Sequence, residues 1–85
     1  MREISYTSKL DHAEDGTPLA LDYFILAGDG APERYGVKII EKKSGSQASA
    51  ADLTTNLLRI YTLMDKLSQN SITPAQLPDI VDNWL

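Results

Sequence analysis

The chain of 85 residues contains no cysteine. That excludes a disulfide framework and any thiolate metal site, and small secreted domains usually depend on such staples. Histidine occurs once, as His12, so no imidazole pair can form a zinc site. Long apolar runs are missing too. Nothing approaches the ~20 residues that span a bilayer, and the start, Met1-Arg2-Glu3-Ile4-Ser5, lacks the apolar block of a signal peptide. Positive charge is scarce: 8 Lys and Arg stand against 12 Asp and Glu, a net charge of −4 at pH 7. Such a balance works against non-specific attraction to nucleic acid or to an anionic membrane. These absences predict a reducing, cytoplasmic setting with no membrane contact.

What remains is an ordinary globular composition, 42% apolar and 24% charged. The length suits a single domain, 1–85, that buries roughly 60–65% of its unfolded surface. The first half carries strand patterns. Ile4, Tyr6 and Leu10 alternate with polar neighbours, predicting a strand over 2–12. Ala13-Glu14-Asp15-Gly16 is turn chemistry, and Leu19 to Leu26 is rich in branched and aromatic residues, predicting a strand over 17–27. A four-residue loop would set His12 against Thr17, Leu10 against Leu19, Tyr6 against Tyr23 and Ile4 against Ile25. After the break at Gly28-Asp29-Gly30-Ala31-Pro32, a third strand is expected over 34–43.

The period then changes. Ser44 to Ala48 reads as a flexible connector. Leu53, Leu57, Ile60, Tyr61, Met64 and Leu67 recur at helical spacing, predicting a helix over 50–69 with Ser49 and Asp52 as its capping pair and Asn70 as its stop. Thr73-Pro74-Ala75-Gln76 is a second helix start, with Leu77, Ile80, Val81, Trp84 and Leu85 on one face of a helix over 74–84 and its end. Pro78 conflicts with the first turn of that helix. The expected fold is therefore α+β: a three-stranded antiparallel sheet (β-β-β) followed by two amphipathic helices packed on one face. The covered face would hold Ile4, Tyr6, Leu10, Leu19, Leu21, Tyr23, Ile25, Tyr35, Val37 and Ile39. The open face would hold Glu3, Ser5, Thr7, Lys9, Asp22, Phe24, Leu26, Arg34, Lys38, Ile40 and Lys42.

Chemistry-bearing patterns are sparse. His12 has Asp11, Glu14 and Asp15 as neighbours, but consecutive turn residues point apart and no second nitrogen or sulfur ligand completes a metal set. Gly28-Asp29-Gly30 lacks the third glycine, the Lys-Ser/Thr pair and the following helix of a phosphate loop. Asp79 and Asp82 share a helix face, where solvated carboxylates are the ordinary reading. No catalytic residue, metal ligand or cofactor site is assigned, and the chain is read as no enzyme. Two surface readings stand. Phe24, Leu26 and Ile40, with Lys38 and Arg34 at the rim, would form an apolar centre for a protein partner or a second copy, as in a homodimer. Alternatively, Arg34, Lys38 and Lys42 beside Phe24 would bind an anion or single-stranded nucleic acid.

The segment Ser71-Ile72-Thr73-Pro74-Ala75-Gln76-Leu77-Pro78-Asp79-Ile80-Val81-Asp82-Asn83-Trp84-Leu85, together with the strand Tyr35-Gly36-Val37-Lys38-Ile39, resembles a family of small uncharacterised proteins found mainly in anaerobic Gram-positive bacteria. That family has a central Tyr-Gly-Val strand and ends in a Thr-Pro…Leu…Asp-Val/Ile-Val…Trp-Leu helix. The resemblance covers most of the second half; Pro78 departs from the commoner residue at its position. It implies a bacterial cytoplasmic origin and a domain of unknown function, and it carries no activity.

Overall fold

The computed structural model describes residues 1–84. Its elements are β1 (Arg2–His12), β2 (Pro18–Ala27), β3 (Tyr35–Glu41), β4 (Ser46–Thr54), α1 (Leu57–Gln69), a 3-10 turn (Pro74–Gln76) and α2 (Leu77–Trp84). The strands form one antiparallel sheet in the order β1-β2-β3-β4, and both helices lie against one face. The sheet thus has four strands where the sequence pattern predicts three. Ser46 to Thr54, read above as connector and helix start, is the fourth. Its Ala and Ser residues carry no strand propensity of their own. It forms because β3 offers a full hydrogen-bonding edge, and Ala48 and Ala50 are small enough to sit beneath the helices against the core. Helix α1 accordingly starts at Leu57, capped by Asn56, whose side-chain oxygen accepts from the N–H of Leu58 at 3.0 Å; Ser49 and Asp52 are strand residues and cap nothing.

The strand order is sequential, as expected, but the β1–β2 register is not uniform. Ile4 faces Ile25, whereas Thr7 faces Tyr23, Lys9 faces Leu21 and Leu10 faces Ala20. The expected pairs Tyr6–Tyr23, Leu10–Leu19 and His12–Thr17 are each displaced by one residue. The cause is a bulge between Ser5 and Thr7, which inserts Tyr6 and inverts the strand's alternation beyond it. Leu10, expected in the core, is therefore on the open face and 82% exposed. Thr7 and Lys9, expected on the open face, are on the helix side instead. The turn that follows has five residues, closed by the Ala13 N–H on the Thr17 carbonyl at 2.8 Å, with Gly16 at a φ of 85°.

The core consists of Leu21, Tyr23 and Ile25 of β2 and Val37 and Ile39 of β3, covered by Ile60, Leu63, Met64 and Leu67 of α1 and by Leu77 and Val81 of α2. Each such fully buried side chain stabilises the fold by roughly 1.5–3 kcal/mol. Tyr23 donates its hydroxyl to the Ile72 carbonyl at 2.9 Å, tying the central strand to the link between the helices. Gly36 is set by a close approach: a Cβ there would stand 2.2 Å from the Ala50 carbonyl oxygen, where β4 bulges around Asp52 at a φ of 56°.

Asn70 ends α1, as expected. At the second helix, the Gln76 side chain accepts from the Thr73 N–H at 3.0 Å, but the first turn is 3-10 and the α-helix begins only at Leu77. Pro78 then sits in the first α-helical turn, where its missing N–H leaves no bond unmade. Trp84 is half-buried and packs on the core, with the Arg59 guanidinium 4.5 Å from its ring centre. Leu85, expected on the same helix face, lies outside the described residues.

Candidate interaction surfaces

The open sheet face carries the residues picked out by the sequence pattern, but in a guarded arrangement. Phe24 pairs with Lys38, Ile40 with Asp22 and Leu26 with Gly36. Leu26 is buried, at 4% exposure, and Phe24 and Ile40 are half-covered. Part of the cover is ionic. Lys38 on β3 reaches across β2 to Glu3 on β1 at 2.8 Å, and Lys42 lies 3.4 Å from Asp22. The lysine stem thus crosses the strip that holds Phe24 and Leu26. Arg34 remains exposed at the start of β3. Lys38 and Lys42 are each matched by a carboxylate, which lowers the net positive field of this face, and Lys43 is exposed beyond the end of β3.

The exposed apolar residues gather elsewhere. Among the described residues, the large apolar side chains that stay open to solvent are Met1, Ile4, Leu10, Leu57, Leu58 and Tyr61. Met1, Ile4 and Leu10 belong to the edge strand β1 or the residue before it. Leu57 and Tyr61 belong to the apolar stripe of α1 in its first two turns, whereas Leu58 lines a separate hollow with Arg59, Thr62 and Trp84. Between β1 and that stripe lies a cleft of about 280 Å³, lined by Ile4, Tyr6, Tyr35, Leu57 and Tyr61 and floored by Ile25. Its rim carries the ion pair of Arg2 and Glu33. The ring centres of Tyr6 and Tyr61 are 6.1 Å apart, and the Tyr6 hydroxyl donates to Asp65. That hydrogen bond, with partial desolvation, raises the Tyr6 pKa above the ordinary phenol value. The phenol therefore stays protonated at neutral pH and serves as a fixed donor.

Two further features belong to this edge. Lys9 points inward and donates to the carbonyls of Ser68 and Gln69, at 2.8 and 3.1 Å, at the C-terminal end of α1. A cation there complements the helix dipole, and a charge turned inward is a common device for keeping a sheet edge from pairing at random. Asp11 accepts from the Ser71 hydroxyl and the His12 N–H, and these bonds hold its carboxyl below the usual range. His12 itself is exposed at the strand end. Among the described residues no group of three or more His, Cys, Asp or Glu side chains converges as a metal site would require. Asp79 and Asp82 are exposed on α2. The edge escaped the sequence reading because its exposure depends on the bulge and on where α1 begins; the one legible signal is that Leu57 and Tyr61 extend the helical stripe beyond what three strands can cover.

Four antiparallel strands in sequential order beneath two helices define a small two-layer α+β domain with an apolar cleft at one edge. Over residues 1–85 the chain matches the Family of unknown function (DUF6514), and it belongs to that family. No curated protein and no solved structure matches it. No helix among the described residues is long and apolar enough to cross a membrane.

Proposed function

We propose that the protein is a non-catalytic interaction module of the bacterial cytoplasm, and that it engages its protein partner through the β1 edge and the first turns of α1. One observation carries this reading: Ile4 of β1 and Leu57 and Tyr61 of α1, all open to solvent, line one cleft at this edge, and Met1 and Leu10 are open on the same strand region. An open apolar cleft with a polar rim is the usual mark of an interface. The cytoplasmic setting draws support from the absence of cysteine. The patch of Phe24, Leu26 and Ile40, with Lys38 and Arg34 beside it, is the competing surface. It ranks second because its apolar groups are already half or wholly covered and Lys38 is engaged by Glu3. The same pairing weakens an anion-binding role for Arg34, Lys38 and Lys42, since Lys38 and Lys42 each have a carboxylate partner.

Photocrosslinking in cells of the native host tests this. Tyr61 and, separately, Ile40 are replaced by benzoylphenylalanine. The expected result is a discrete adduct from position 61 and none from position 40. An adduct from position 40 alone would move the interface to the open sheet face, and no adduct from either position would remove the reading.

A further inference from the structure

The β1 edge also specifies what it pairs with. We infer that its partner is a second copy of the same chain, joined by antiparallel pairing of β1 with β1 about a twofold axis between Tyr6 and Thr7. This inference rests on the reading of the β1 edge as the interface.

The argument starts from the bulge. Before it, Arg2 and Ile4 face the helix layer; after it, Thr7, Lys9 and Asp11 do, as their partners on β2 require. Tyr6 also lies on that side, packed against the core and beside Tyr61. Two copies that extend one continuous sheet must keep helix-side residues opposite helix-side residues. An overlap of the two ends of the strand therefore has to set the segment before the bulge against the segment after it. With the axis between Tyr6 and Thr7, every residue from Met1 to His12 gains a partner. Arg2 then faces Asp11 of the second copy, Ile4 faces Lys9, Glu3 faces Leu10 and Ser5 faces Ser8, and each pair occurs twice by symmetry.

Charge selects this register over its neighbours. Moving the axis to between Ser5 and Tyr6 sets Arg2 against Lys9, a like-charge clash. Moving it to between Thr7 and Ser8 sets Arg2 against Ala13, beyond the strand. Only the middle register sets Arg2, an exposed cation that the Glu33 carboxylate also contacts, opposite Asp11, which is exposed and held ionised by its hydrogen bonds to Ser71 and His12. The apolar residues agree. Ile4 packs on the stem of Lys9, whose ammonium is already engaged by the carbonyls at the end of α1. Leu10 sits diagonally next to Met1 of the other copy. The three open apolar side chains of this strand region are thus all covered, and Lys9 serves to exclude the wrong register. The other edge is unsuited to the same role: β4 is interrupted by its bulge around Asp52 and presents mainly Ser and Ala.

The cysteine-free chain allows a direct test. The protein is weighed by light scattering, and Ser5→Cys and Ser8→Cys variants are mixed and oxidised. Directly opposite residues lie at Cα separations that a disulfide can bridge. The expected result is a dimer, with a disulfide between the two variants and none between Ser5→Cys and a Ser49→Cys variant on β4. Arg2→Asp and Asp11→Arg should each raise the dimer dissociation constant by about tenfold, and the double variant should restore it. Three results would overturn the inference: a chain that stays monomeric at millimolar concentration, a dimer without the Ser5–Ser8 crosslink, or a double variant no tighter than the single ones. A monomer that still gives an adduct with a different protein from position 61 would refute the second copy and leave the edge reading standing.

Discussion

The two edges of the sheet are built on opposite plans. β1 is long, mixed in composition and lightly covered, with large apolar residues open on both of its faces. β4 is made largely of Ser and Ala, and it lies so close to β3 that Gly36 has no room for a side chain. Both carry a bulge. On β4 the bulge interrupts the pairing, which resumes at Thr54 opposite Tyr35 just before the chain turns into α1. On β1 it leaves the strand extended and changes which side chains face outward. A bulge by itself therefore does not retire an edge; what matters is the set of side chains it turns toward solvent.

The sharpest way to break the β4 plan is Gly36→Ala. Its Cβ would meet backbone atoms, which no rotamer change can relieve, so a loss of about 3 kcal/mol is expected. Urea unfolding measures it, and a loss under about 1 kcal/mol would mean that β4 can move away freely. Glu41 anchors the turn between β3 and β4. Its buried carboxylate accepts from the Ala20 N–H at 2.6 Å and the Ser44 N–H at 2.8 Å, bonds that hold its pKa below the ordinary value. A group lowered on folding adds stability above its unfolded pKa, near 4.5, and loses it as pH falls through the folded value. Glu41→Gln should therefore lower stability at pH 7 and flatten the acid limb of the stability profile; an unchanged limb would show that Glu41 does not contribute to it.

Tyr23→Phe probes the centre between the two edges. It removes one hydrogen bond, at a cost of about 1 kcal/mol at neutral pH. Burial, and then the charge of Asp11, push the Tyr23 phenol up to about 12. The native protein should thus lose stability as pH rises from the ordinary phenol value near 10 toward 12, and Tyr23→Phe should lose less over that range in alkaline melting. The smallest effect belongs to β1. Leu10→Ser should change the stability of the isolated chain by less than about 0.5 kcal/mol, because Leu10 touches little within it. The same substitution should weaken association, and light scattering alongside thermal melting separates the two effects.

Much of this fold is legible in the residues. The period-two runs locate β1 to β3 within one or two residues of their ends, and Asn70 and Thr73-Pro74 bracket the link between the helices. β4 is not legible because Ser46 to Asp52 contains neither branched nor aromatic residues; its strand character comes from the neighbour it pairs with. Leu53 and Leu57 happen to stand four apart, which carries the helical pattern backward into that strand. The bulge at Tyr6 has no compositional sign, yet it exchanges the roles of Lys9 and Leu10. The candidate interface surface shares that fate. Phe24, Leu26 and Ile40 do share the open face, as alternation demands, but their cover by Lys38 is a tertiary matter that no periodicity reports.

The sequential strand order has a consequence for how the molecule is made. Every strand pairs with the one synthesised just before it, so the sheet can be laid down hairpin by hairpin as the chain emerges. β1 emerges first and the sheet grows away from it. The Lys9 contacts with Ser68 and Gln69 span about sixty residues and close only after α1 is complete. Until then the growing chain shows its neighbours an unpaired strand edge whose inward lysine has nothing to hold.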